Sequence, residues 1–137
     1  MFRYSADIRT DGITMKILIS NQSELPIYAQ IREQIKEQIL NGQIPEGTVL
    51  PSIRKLAKEV GVSVITTTRA YNELEQEGFI ASMQGRGSVV LSKENDFLKE
   101  QYYLRIEEGI QTAVETAKRI GMSKEELEGI LSDGWDA

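Results

Sequence analysis

The side chains best suited to chemistry in this sequence are cations interleaved with hydroxyls. Arg54, Lys55, Lys58, Arg69 and Arg86 lie among Ser52, Ser63, Thr66 and Thr68. Guanidinium and ammonium groups bind phosphate oxygens, and Ser and Thr hydroxyls serve either phosphates or base edges. Arg86 sits in Gln84-Gly85-Arg86-Gly87, where the glycines let the backbone approach a groove closely. A Gly-x-Gly run also suits a nucleotide phosphate loop, but neither a Walker lysine pattern nor a Rossmann strand accompanies it. The chain has no cysteine and no histidine. Disulfides, thiol catalysis, Cys/His zinc sites and histidine acid–base work are therefore excluded. The lysines and carboxylates fall at helix-surface spacing, with no nucleophile beside a base. No catalytic residue, metal site or cofactor is expected, and the chain does not read as an enzyme.

Charge distribution fits the same chemistry. The chain of 137 residues carries a net charge of −5, which is unfavourable for a polyanionic partner. Residues 16–93 nevertheless hold nine basic and eight acidic side chains, whereas residues 94–137 hold five and eleven. The acidity is concentrated in the tail, leaving the first part free to meet phosphates. No apolar run approaches the length of a membrane span, and Met1–Met15 carries Asp7 and Asp11 where a signal peptide would be apolar. A cytoplasmic location and no membrane partner are expected.

The elements that must position these residues are mostly helical. Residues 1–15 show no clear period and are set aside as an N-terminal extension, disordered or foreign to the native chain; Lys16–Ser20 reads as an edge strand. Pro26–Asn41 carries Ile27, Ile31, Ile35 and Ile39 every fourth residue, a helical stripe closed by Gly42. Ser52–Val60 is a short helix with Ile53, Leu56, Ala57 and Val60 inward. Gly61 breaks it. Ser63 caps a second helix running to Glu77, with Thr67, Ala70, Tyr71 and Leu74 inward. That leaves Val64 and Thr68 outward, Ile65 with them, and an outward aliphatic suits thymine methyl groups. Phe79–Ser82 and Ser88–Leu91 read as a hairpin around Gln84–Gly87. Phe97–Ile120 is a long helix, and Ser123 with Glu126 forms a capping box for a last one ending near Ser132. Helix, tight turn, helix and hairpin make a winged helix-turn-helix: a mainly α fold with a small β-hairpin wing and a helical C-terminal dimerisation segment. The expected domains are the DNA-binding part at 16–92 and a two-helix tail at 93–137.

Specific stretches then resemble the GntR family of bacterial transcriptional regulators. They are Pro26–Ile31 (PIYAQI), Ile39–Ala57 (ILNGQIPEGTVLPSIRKLA), Gly61–Ser63 (GVS), Arg69–Ile80 (RAYNELEQEGFI) and Gln84–Val90 (QGRGSVV). The short tail resembles the YtrA-type subfamily. The resemblance implies a homodimer held partly by two C-terminal helices, often controlling a nearby transporter operon. It places family DNA contacts on Arg54, Ser63, Thr66 and the wing-tip pair Gln84 and Gly85, with Arg86 next. Two positions depart from the family pattern. Val64 stands where arginine is common, and Thr68 where a basic residue is common, with Arg69 as the expected substitute.

The expected interface to double-stranded DNA is Ser52, Arg54, Lys55, Ser63, Val64, Thr66, Thr68, Arg69, Gln84, Gly85, Arg86 and Gly87. The expected face toward a second copy is Leu98, Tyr102, Ile106, Ile110, Val114, Leu127, Ile130 and Leu131. The function read from this is a sequence-specific regulator, a repressor acting as a homodimer on a pseudo-palindromic operator. A winged-helix protein-interaction module without DNA binding is the alternative, and clustered cations argue against it. Tyr102, Tyr103 and Trp135 suit either an unknown small-molecule effector or ordinary packing.

Overall fold

The computed structural model describes residues 3–137. It contains two two-stranded antiparallel sheets and five helices among these residues. The chain divides into two compact units, Met1–Leu98 and Lys99–Ala137.

The first unit opens with a hairpin of β1 (Arg3–Thr10) and β2 (Ile13–Ser20). Asp11 and Gly12 form its two-residue turn with φ of 49° and 80°, the conformation that matches strand twist and favours Asp-Gly. Ala6, Ile8, Met15, Ile17 and Ile19 alternate along the pair and are all buried. Setting residues 1–15 aside from the fold is thus corrected for the described part: the segment's alternating apolar residues need a face to cover, and the core supplies it. Its first two residues lie outside the described ones.

The hairpin is fastened to helix α1 (Ile27–Leu40) by three glutamines one turn apart. Gln38 accepts from Lys16 N–H at 2.9 Å and donates to the Lys16 carbonyl at 2.8 Å. Gln34 does the same for Leu18 at 2.7 Å in both directions, and Gln30 for Ser20 at 2.9 and 2.8 Å. A helix repeats every 3.6 residues over 5.4 Å, and a strand places same-side groups about 6.6 Å apart. Glutamines at i, i+4, i+8 therefore match alternate strand residues. Their amides stand in for a third strand and close the outer edge of β2, which would otherwise present unpaired backbone groups.

Helix α2 (Ile53–Val60) and helix α3 (Val64–Gln76) follow. Gly61, at φ 77° and ψ 35°, gives the left-handed turn between them, with its N–H on the Ala57 carbonyl. The wing is β3 (Ile80–Met83) paired with β4 (Gly87–Val90). Ile31, Ile35, Ile44, Leu56, Leu74, Phe79 and Ile80 fill the core under these elements. Two ion pairs join α1 to α3 and the residue that caps its C-terminus: Arg32 meets Glu73, and Lys36 meets Glu77 at 2.7 Å. Hydrogen bonds from Arg69 and Arg32 hold the Glu73 carboxyl below its ordinary range. That contribution to stability is present above the usual carboxylate pKa and is lost as pH falls below it.

The second unit contains most of α4 (Asp96–Arg119) and all of α5 (Lys124–Trp135). Gly121, at φ 71°, separates the helices, and the Ser123–Glu126 capping box opens α5. None of the residues of α5 is buried. Among the described residues, no helix is long and apolar enough to cross a membrane.

Candidate nucleic-acid interface

Three sets of hydrogen bonds organise the expected contact residues of the first unit. Ser52 caps α2 by accepting from Lys55 N–H at 3.1 Å, and Ser63 caps α3 by accepting from Thr66 N–H at 3.0 Å. The strand-like segment Thr48–Leu50 runs along β4, with Leu50 N–H on the Ser88 carbonyl at 2.8 Å and Val90 N–H on the Thr48 carbonyl at 2.9 Å. It leads directly into α2, so the base of the wing and the head of α2 share one backbone scaffold. Finally, the Tyr71 hydroxyl of α3 donates to the Pro51 carbonyl at 2.6 Å, tying α3 to the loop that enters α2.

Because that hydrogen bond is buried, Tyr71→Phe should lower stability by about 1–2 kcal/mol, as an unsatisfied carbonyl is left behind. Chemical denaturation checks this, and an unchanged midpoint would count against the bond. Burial also pushes the Tyr71 phenol above its ordinary range. The protonated form is the one the fold retains, so stability is full below the ordinary phenol value and declines as pH rises past it.

The hydroxyls have divided duties. Ser63 Oγ accepts from the Thr66 amide and donates to Thr66 Oγ1 at 2.9 Å. The hydroxyl proton of Thr66 is thereby left to donate outward, which suits a phosphate oxygen or a base acceptor. Thr68 donates to the Val64 carbonyl at 2.7 Å and keeps only acceptor capacity for a partner. Val64 is 44% exposed and Ile65 83% exposed, so the more prominent aliphatic at the head of α3 is Ile65.

The cations separate into two groups. Arg54, Lys58 and Arg86 are exposed and have no ion pair or hydrogen-bonded side-chain partner among the described residues. Arg86 crowns the wing tip, where its N–H closes a turn on the Met83 carbonyl at 2.9 Å and Gly85 and Gly87 have φ of 79° and 96°. Gln84, Gly85 and Gly87 are exposed beside it. Lys55 and Arg69 are otherwise engaged. The Lys55 ammonium donates to the Arg9 carbonyl at 2.9 Å. Arg69 pairs with Glu73 at 3.0 Å and lies 3.7 Å from the centre of the Tyr28 ring. An acidic residue one turn on and an aromatic face on α1 thus engage Arg69 within the protein, although its side chain stays exposed.

In the tail, Leu98 is also corrected. It is 2% exposed and belongs to the first unit's core, since its place just after the Asn95 cap of α4 points it inward. Tyr102, Val114 and Leu127 are half-buried, and Ile106, Ile110, Ile130 and Leu131 are exposed. Tyr103 and Trp135 are also exposed.

Helix-turn-helix, strap and β-wing define a winged helix-turn-helix protein. The family model for "Bacterial regulatory proteins, gntR family" matches residues 27–90. The chain is 36% identical over 111 residues to the HTH-type transcriptional repressor YtrA of Bacillus subtilis, covering 81% of this chain and 85% of that protein. It is also 36% identical over 112 residues to the B. subtilis regulator YhcF, covering 80% and 90%. The solved structure of the GntR-family transcription factor YtrA from Sulfolobus acidocaldarius is 40% identical, with a TM-score of 0.56 over 69% of this chain and 97% of that one. The chain belongs to the GntR family, and its resemblance is to the YtrA type.

Proposed function

We propose that this chain is a repressor that binds an inverted-repeat operator as a homodimer. The observation that carries the reading is the head of α3. The outward-donating Thr66 hydroxyl and the exposed Val64 and Ile65 stand there, on a scaffold shared with unpaired Arg54 and Arg86. In a helix-turn-helix this end of the second helix enters the major groove. Thr66 then meets a phosphate or base, the aliphatics meet thymine methyls, and Arg54 and Arg86 grip the flanking phosphates. The similarity to a protein named a transcriptional repressor supports repression as the outcome.

The dimer is supported by the tail. Ile106 is 60% exposed, Ile130 55% and Leu131 56%, a concentration of apolar surface on two helices that a second copy would cover.

Two measurements on the purified chain test the proposal. Duplexes retained from a random pool should share an inverted repeat with half-sites about 10 base pairs apart or a multiple of that. Sedimentation at micromolar concentration should give a dimer. Val64→Ala or Thr66→Ala should alter the motif retained more than the affinity for arbitrary DNA. A pool without a symmetric motif, or a clean monomer, would overturn the homodimer reading.

A further inference from the structure

We propose that the tip of the β1–β2 hairpin is an additional phosphate-binding element, with Arg9 as its contact. This rests on the DNA-binding reading above and extends the interface beyond the winged-helix core.

Val49 connects the hairpin to the wing. Its neighbours Thr48 and Leu50 bond to β4, so the N–H and carbonyl of Val49 itself face the opposite side. The hairpin tip takes both. Asp11 accepts from Val49 N–H at 3.0 Å, and Thr10 donates its hydroxyl to the Val49 carbonyl at 2.6 Å. A third bond, from the Lys55 ammonium to the Arg9 carbonyl at 2.9 Å, ties the same tip to the first turn of α2. The tip is therefore held on the outer edge of the wing scaffold and against the helix turn that carries Arg54.

Arg9 is exposed, and no ion pair or hydrogen bond engages its guanidinium among the described residues. Among the described residues, neither nearby acid forms an ion pair with it. Asp11 is turned to the Val49 amide, and Asp7 lies opposite Lys16 in the strand register. Lys55, expected as a phosphate contact in its own right, also holds the Arg9 backbone against the first turn of α2, the turn that carries Arg54. An arginine held there meets the sugar–phosphate backbone next to the strand that Arg54 contacts, and adds affinity without sequence preference.

The test is the salt dependence of binding to a mixed-sequence duplex by the full chain. Arg9→Gln should lower the magnitude of the log–log slope by about 1, and Arg9→Lys should retain it. Arg9 is exposed, so thermal unfolding of both variants should match the parent and exclude a folding defect. If Arg54→Ala lowers the slope and Arg9→Gln does not, the hairpin contact is wrong and the winged-helix interface stands. If neither changes the slope, or the parent chain binds no duplex, both readings fall.

Discussion

Replacing Gln38 with leucine is expected to lower the free energy of unfolding by about 2–3 kcal/mol, a large effect for a single polar residue on a helix. The side chain is 7% exposed. Its amide joins Lys16 N–H, the Lys16 carbonyl and the Gln34 carbonyl at 2.9, 2.8 and 3.0 Å. Leucine matches the volume but satisfies none of them, and part-buried backbone groups of β2 are left without partners. Water compensates where it can reach. Gln34→Leu, whose bonds to Leu18 are exposed, should therefore cost less, about 1 kcal/mol. Urea denaturation monitored by circular dichroism reads both values. Equal losses at the two positions, or none, would contradict the role of the glutamines as a surrogate strand edge.

The second large effect is on DNA. Arg54→Ala combined with Arg86→Ala should lower the magnitude of the salt slope by about 2, because two phosphate contacts release their counterions no longer. The gap in affinity between the parent and this variant should widen about tenfold between about 200 and 50 mM salt. Arg69→Ala serves as the contrast. Its guanidinium is already committed to Glu73 and Tyr28, so its loss should affect stability and leave the slope nearly intact. A slope that falls with Arg69→Ala and not with the double variant would reverse the assignment of cations.

Much of this arrangement was legible in the sequence because it rests on short-range rules. Ser52 and Ser63 are cap residues, Gly61 takes the left-handed turn, and Thr67, Ala70, Tyr71 and Leu74 share a face at helical spacing; each of these follows from local chemistry, and the structure agrees. The hairpin at the N-terminus was missed although its signal was present. Asp11-Gly12 is a favoured two-residue turn, and Ala6, Ile8, Met15, Ile17 and Ile19 alternate around it. Lys16–Ser20 alone has the β-branched density of a strand, and the alternation becomes evident only when the two arms are paired across the turn. The Arg69–Glu73 pair has the i, i+4 spacing of a helical ion pair and was open to reading, but the engagement of Lys55 with Arg9 and the stacking of Arg69 on Tyr28 were not legible. Both depend on which residue a long flexible side chain meets across the fold, at separations of 46 residues for Lys55 with Arg9, and a charge pattern along one helix does not encode that. The glutamine ladder lies between these cases. Gln30, Gln34 and Gln38 are visibly one turn apart, but spacing alone does not distinguish a solvated polar face from one that pairs with a strand.

The most direct test of the proposed interface is a map of backbone amide shifts as a duplex selected by the protein is titrated into the nitrogen-15-labelled chain. The largest changes should fall at Ser63–Thr68, around Arg54 and at Gln84–Gly87. Changes confined to other surfaces, with these amides unmoved at saturation, would contradict it.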